Sequence, residues 1–184
     1  MSSFPILSEP LTDGEVLLRD YAERDIPEIL IAHQDDPRMH VLIGEDRPPS
    51  GAELGRAAER EQLERVAGER AMLTVLEPGS DACRGQIRVH PVDWDQRRAE
   101  VSIWLAPQVR GRGLAPRALR LAGEWLLGAC RLARVELFVE PGNAPMVRAA
   151  EAAGFVPEGT LREYVRRRGR GVDVVIMSLI PGDL

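Results

Sequence analysis

The 184-residue sequence contains no lysine, and all 24 of its basic residues are arginine. A Walker-type phosphate loop needs a lysine to reach the phosphates, and a Schiff-base enzyme needs one as its nucleophile. Both classes are excluded. Cysteine is scarce as well. Cys83 and Cys130 fit neither a C-x-x-C pair nor a zinc spacing, so they read as reduced, partly buried thiols of a cytoplasmic protein, and no metal is expected. Aromatic residues make up only 4% of the chain, few for a surface on which bases would stack. No apolar run approaches the roughly 18 residues of a membrane helix, and a basic start followed by an apolar stretch is missing, so neither a membrane span nor a signal peptide is expected.

What is present is ordinary globular material, 44% hydrophobic and 29% charged. A chain of this length, expected to form one domain over 1–184, can bury about 70% of its surface. The charge is uneven. Residues 1–100 hold 12 Arg against 21 Asp and Glu, a net −9, whereas residues 101–184 hold 12 Arg against 8 acids, a net +4. An anionic ligand in the basic part meeting a cationic partner at the acidic part fits this division, and so do two solvated faces.

The most informative stretch is Gln108-Val109-Arg110-Gly111-Arg112-Gly113-Leu114-Ala115. A strand over Val101–Leu105 runs into it, and an apolar-faced helix leaves it at about Ala115-Pro116. Strand, glycine turn and helix in that order aim several backbone N–H groups at one point, where the helix dipole adds about half a positive charge. Glycines keep Cβ atoms from holding a ligand off the backbone. A phosphate-bearing ligand is the natural occupant.

Around this stretch the pattern predicts a strand over Glu15–Tyr21 and a helix from Asp25, whose carboxylate would cap it, to about Asp36-Pro37. A loop over Arg38–Ser50 follows, then a charged, largely exposed helix from Ser50 to about Gly68. Strands over Ala71–Glu77, Gly85–Val92 and Arg98–Leu105 read as an antiparallel meander. The helix after the turn places Ala118, Leu121, Ala122, Trp125, Leu126 and Ala129 on one face. A strand over Ala133–Glu140, an Ala-rich helix over Ala144–Ala153, and a hairpin of Gly159–Arg168 with Val172–Ile180 complete the chain. A dinucleotide fold is the rival for the turn, because Gly111-Arg112-Gly113 could begin a G-x-G-x-x-G/A and Glu140 ends the next strand. Pro116 blocks the required close helix packing, and the turn follows a meander instead of opening a βαβ unit.

Four landmarks stand in register: Ala99-Glu100-Val101-Ser102-Ile103-Trp104-Leu105-Ala106-Pro107, then Q-x-x-G-x-G at 108–113, then Asn143 after the next strand, then Gly154-Phe155 closing a short helix. With Glu158-Gly159-Thr160-Leu161-Arg162 and a hairpin reaching Asp173, the chain resembles the GNAT superfamily of N-acetyltransferases, in its RimJ/RimL-type branch. That resemblance implies an α+β fold, a splayed, mixed but mostly antiparallel sheet of about seven strands with helices on both faces. It also implies acetyl-CoA as acyl donor, lying in the split. The edge of Ile103, Trp104 and Leu105 would bond the pantetheine arm, the N–H groups of Arg110, Gly111, Arg112, Gly113, Leu114 and Ala115 would receive the pyrophosphate, and Val109 would belong to the same cofactor-binding turn. Asn143 would bond the cofactor near its arm. The acceptor would be a small-molecule amine or a protein N-terminus, and a homodimer is plausible by analogy.

For the chemistry, Glu100 is the candidate general base, sharing a strand face with Ser102 and Trp104. The alternative is an exposed strand carboxylate opposite Arg88 or Arg97. His90 reads as structural, and His33 and His40 flank the region where an acceptor would enter. Acid catalysis is where the chain departs from its family. The branch's serine position is Met146, and the tyrosine position of other branches is Ala150. Neither protonates a thiolate, though water suffices for a leaving group of such low pKa, and Tyr164 is the substitute candidate. Asp35, Asp36, Glu45 and Asp46 would draw a cationic amine to the 33–69 region. Arg166, Arg167, Arg168 and Arg170 read as a solvated hairpin tip, with no nucleic acid expected. A non-catalytic CoA-binding sensor is the second reading, motivated by Met146 and Ala150.

Overall fold

Strand alternation decides which side chains reach the core. In the computed structural model, which describes residues 3–43, 45–167 and 169–184, one sheet is built from β1 (Leu11–Thr12), β2 (Leu17–Asp20), β3 (Ala71–Leu76), β4 (Gly85–Asp93), β5 (Arg98–Leu105), β6 (Arg134–Val139), β7 (Val156–Arg167) and β8 (Arg170–Leu179). Its order is β1-β2-β3-β4-β5-β6-β8-β7, and among the described residues only the β5–β6 pair is parallel. The expectation of about seven strands becomes eight among the described residues. The added one is β1, whose two residues carry no readable pattern. Helices α1 (Ile26–Asp35), α2 (Met39–Leu42), α3 (Gly51–Val66), α4 (Leu114–Gly128) and α5 (Ala144–Ala152) cover the sheet. The short α2 lies inside the stretch expected as loop, where its single turn was hidden between a proline and a diproline.

Ala99, Val101 and Leu105 of β5 and Val135, Leu137 and Val139 of β6 are buried in one core with Leu114, Ala118, Leu119, Ala122, Trp125 and Leu126 of α4. The even-numbered residues of both strands therefore face away from α4. The buried face of α4 is rotated from the expected one: Leu119 and Leu127 are inside and Ala129 is exposed. On the other face of the sheet, Tyr21, Ile29, Met72 and Cys83 pack with Leu54 and Ala58 of α3 and with Trp104. Both cysteines are free and buried, and burial pushes each thiol up to about 12.

Two helix expectations change in the structure. Asp25 does not cap α1; its carboxylate is buried, accepting hydrogen bonds from Arg19 at 2.6 and 2.9 Å and from the Thr74 hydroxyl at 2.6 Å. A buried guanidinium outcompetes helix N–H groups that water can reach. Helix α3 starts with the expected box, the Ser50 N–H donating to Glu53 at 2.8 Å and the Glu53 N–H to Ser50 Oγ at 3.3 Å. It is not merely a solvated surface helix, however. Glu61 and Arg65 are buried, Glu61 accepting from the Met72 N–H at 2.7 Å and Arg65 paired with Asp20 at 2.6 Å over the Trp125 ring. Charge count along a helix does not show which of its charges have partners on another element.

Candidate functional site

The β5–β6 ladder is only three residues long. Arg98, Ala99 and Glu100 pair with Arg134, Val135 and Glu136, and pairing ends there. Strand β5 stays zipped to β4 as far as Leu105, while β6 stays zipped to β8 as far as Val139. The sheet is therefore split between residues 101–105 and 137–139. The Ala106 N–H donates to the Arg84 carbonyl at 2.8 Å. Bonded pairs alternate along an antiparallel ladder, so Trp104 is bonded to Gln86 and the N–H and C=O groups of Ile103 and Leu105 face the split. This corrects the expected edge in one detail. The Trp104 backbone is bonded to β4, and its two neighbours face the opening.

The turn that follows is shaped as its glycines suggest. Gly111 and Gly113 have φ of +74° and +80°, left-handed values that L side chains resist, and Gly113 is the N-cap of α4. The N–H groups of Gly111, Arg112 and Gly113 bond to no described residue. Those of Leu114 and Ala115 lie in the first helical turn, which has no preceding carbonyls to bond. Val109 is buried beneath the turn. The arginines around it are engaged elsewhere, with Arg110 on Asp36 at 2.6 Å, Arg112 on Glu77 at 2.7 Å and Arg117 on Asp13 at 2.7 Å. Arg110 also donates from Nε to the Leu105 carbonyl at 2.9 Å, tying the turn to the strand end. The charge division along the sequence thus closes on itself, acids of the first half neutralising arginines of the second. What remains for a phosphate is backbone N–H groups and a helix dipole.

Asn143 stands at the start of α5, beyond the end of β6, where its Oδ1 accepts from the Met146 N–H at 3.3 Å. Its carboxamide oxygen is spent on the helix, leaving the NH2 group for a ligand. Ala150 is fully buried and Met146 packs against the core, and neither side chain carries a proton to donate. Tyr164 is 56% exposed and stacks at 5.0 Å on Phe138 of β6, on the sheet face that carries Glu100.

Glu100 is half-buried on the last rung before the split. Burial, and then the neighbouring Glu136 carboxylate, push its carboxyl up to about 6. Neither proposed arginine partner is there. Arg88 lies opposite Ser102 and reaches Glu45 at 3.5 Å, and Arg97 donates to the Arg131 carbonyl. Glu136 is held by Arg134 at 2.7 Å, and Arg134 also grips Glu158.

Over β4 and β5, on the same face as Glu100, lies a cavity of about 400 Å³. Its apolar wall comes from Ile29, Ile43, Leu54 and Trp104; Glu45, Asp46 and Glu53 bring carboxylates to it, and Arg88 and Arg47 stand beside Glu45 and Glu53. His33 lines it, whereas His40 does not, and His90 is exposed. Asp35 and Asp36, expected among the attracting acids, instead hold Gln108 and Arg110. Sequence reading missed Gln86, which lines this cavity, and Gly85, where a Cβ would overlap the Trp104 carbonyl oxygen. A glycine followed by an inward polar residue at the start of an apolar strand was the available signal. Of the hairpin arginines, Arg166 donates to the Gly169 carbonyl and Arg167 lies 3.5 Å from Glu140, while Arg168 lies outside the described residues.

The model of the acetyltransferase (GNAT) domain family matches residues 15–156. The chain belongs to this family. Its fold is that of Mycobacterium smegmatis RimJ, solved in complex with CoA-disulfide: the TM-score is 0.79 at 23% identity, covering 96% of this chain and 88% of that one. Among curated relatives, the uncharacterized N-acetyltransferase p20 of Bacillus licheniformis is 28% identical over 115 residues, 62% of this chain and 65% of that protein. Spermidine N(1)-acetyltransferase of Vibrio cholerae is 29% identical over 106 residues, 58% and 61% of the two chains. The chain spans between 61% and 65% of the length of these two curated relatives. The observed antiparallel meander ahead of the glycine turn removes the dinucleotide alternative. No helix among the described residues is long and apolar enough to cross a membrane.

Proposed function

We propose that the chain transfers an acetyl group from acetyl-CoA directly to a primary amine, both substrates being held at once along β5. The observation that carries this reading is the double use of that strand. The backbone of Ile103 and Leu105 opens into the split, while the Trp104 side chain between them lines a cavity on one face. The residues fit the cofactor. Free N–H groups at 111–115 suit a pyrophosphate, the strand edge left by the Ile103 N–H and C=O and the Leu105 N–H (the Leu105 carbonyl being held by Arg110) suits the two amides of pantetheine, and the Asn143 NH2 group can add a bond near the arm.

Bound acetyl-CoA supplies a thioester carbonyl that an amine can attack. The chain supplies position and a proton acceptor. Holding amine and thioester in line is worth about 7–11 kcal/mol of barrier. Glu100, its carboxyl raised to about 6, is ionised at neutral pH yet basic enough to take the ammonium proton, directly or through water. Such a base contributes roughly 10²–10⁴-fold. The departing thiolate takes its proton from water or from Tyr164, the hydroxyl on the Glu100 face of the sheet. The acceptor is an α-amine of a protein N-terminus or a small-molecule amine.

The test is thiol release from acetyl-CoA with a panel of peptides, amino acid amides and polyamines. Amine-dependent release above background hydrolysis supports the transferase. Tight acetyl-CoA binding with silence across the panel favours a CoA-binding sensor, the reading that the core positions of Met146 and Ala150 motivate. Failure to bind CoA at all overturns both.

A further inference from the structure

Two buried polar side chains in the cavity over β4 and β5 have atoms without partners. Gln86 is 8% exposed and His33 is 6% exposed, and both line the cavity. The Trp104 indole N–H donates to Gln86 Oε1 at 3.3 Å. An indole nitrogen can only donate, so it fixes the carboxamide oxygen on its side and turns the NH2 group away. That Nε2 finds no acceptor among the described residues, and neither does His33 Nδ1 find a partner. A buried unpaired donor costs stability, and a ligand atom of opposite character that reaches it removes that cost. For Gln86 that atom is an oxygen with a lone pair. An alkyl polyamine carries only ammonium donors and has nothing to offer it.

The rest of the cavity adds to this demand. Ile29, Ile43 and Leu54 with the Trp104 ring make an apolar wall; Glu45 and Glu53 on its rim are paired with Arg88 and Arg47, which leaves Asp46 as the lining carboxylate with no ion pair among the described residues. We infer that the acceptor is an α-aminoacyl compound with an apolar side chain, its carbonyl oxygen bonded by Gln86 Nε2, its side chain against the apolar wall and its ammonium drawn by Asp46. This rests on the transferase reading for its chemistry, but the recognition stands on the cavity alone. Gln86 is then the residue that separates α-amino carbonyl compounds from plain alkylamines and polyamines. The same aminoacyl group occurs in a free amino acid amide and at a peptide N-terminus, and the geometry on β4 serves either.

The test compares leucinamide with isopentylamine, the same amine and side chain without the carbonyl. Binding is read by calorimetry, and turnover by thiol release with acetyl-CoA. The expected result is preference for leucinamide in wild type, and a preference about 10–100-fold smaller in Gln86→Leu. Gln86→Glu keeps the oxygen for the Trp104 indole and replaces the donor by an anion, so it should lose the same preference without disturbing the indole bond. A leucine-initiated tripeptide that binds as well as leucinamide assigns the group to peptide termini, and its exclusion assigns it to the free amide; either supports the inference. Equal binding of leucinamide and isopentylamine, tighter binding of spermidine, or a preference unchanged in both variants overturns it. Selective binding without turnover would instead sink the transferase reading and leave the recognition standing.

Discussion

Glu100→Gln should abolish most of the activity and stabilise the protein. The carboxyl sits half-buried beside Glu136 with no cation against it, and its titration moves from 4.5 to about 6. The fold therefore favours the neutral form. The contribution of this group is most favourable below the unfolded value near 4.5, is lost as pH rises through about 6, and stays lost above. A displacement of about 1.5 pH units corresponds to at most about 2 kcal/mol. Glutamine keeps the shape and never ionises, so urea unfolding at about pH 8 should show the variant as stable as wild type or up to about 2 kcal/mol more so. Activity should move the other way, with kcat/KM falling about 10²–10⁴-fold. In wild type, kcat/KM should rise tenfold per pH unit below an acid limb near 6, and that limb should be missing from any residual activity of the variant. Thiol release across a pH series, with denaturation on the same samples, measures both. A variant within about twofold of wild type, or one that keeps the limb, makes Glu100 a bystander.

Three further perturbations test the frame around the site. Gly113→Ala puts a Cβ where nothing lies within 4 Å but φ is +80°, so its cost is backbone strain, about 1–2 kcal/mol by denaturation, with weaker CoA binding by calorimetry. Gly85→Ala forces a Cβ against the Trp104 carbonyl and to 2.6 Å from the Leu105 side chain; pushing β4 from β5 should cost about 1–3 kcal/mol and loosen CoA binding, and a neutral result would show that the strands can part freely. Glu61 is buried with one oxygen unpartnered, and burial raises its carboxyl to about 7. Glu61 should therefore contribute up to about 3 kcal/mol to the fall in wild-type stability between about pH 4.5 and 7, and Glu61→Gln should keep only the smaller fall that Glu100 causes.

The glycine turn, the meander before it and the α4 start were legible because they rest on local physics. A left-handed φ needs glycine, a helix start exposes N–H groups, and a two-residue period alternates faces. Resemblance of the motifs in register did the rest, and the match over residues 15–156 agrees with it. Legibility ended where partners come from far along the chain. Asp25 looked like a cap but answers Arg19 and Thr74, and the side chains of Arg110 and Arg112 answer Asp36 and Glu77, partners the sequence did not indicate. Gln86 looked like any strand residue until the Trp104 indole fixed its orientation.

The amino-acid sequence alone determined the order of elements, the position of the glycine turn and the absence of lysine chemistry, since each depends on neighbours in the chain. Only the tertiary structure decided how far β5 and β6 stay paired, which charges are spoken for, and what the cavity lacks. Those depend on side chains from α1, α3 and β4 meeting over one face of β5, and the distances in space that set them are unrelated to separations along the chain.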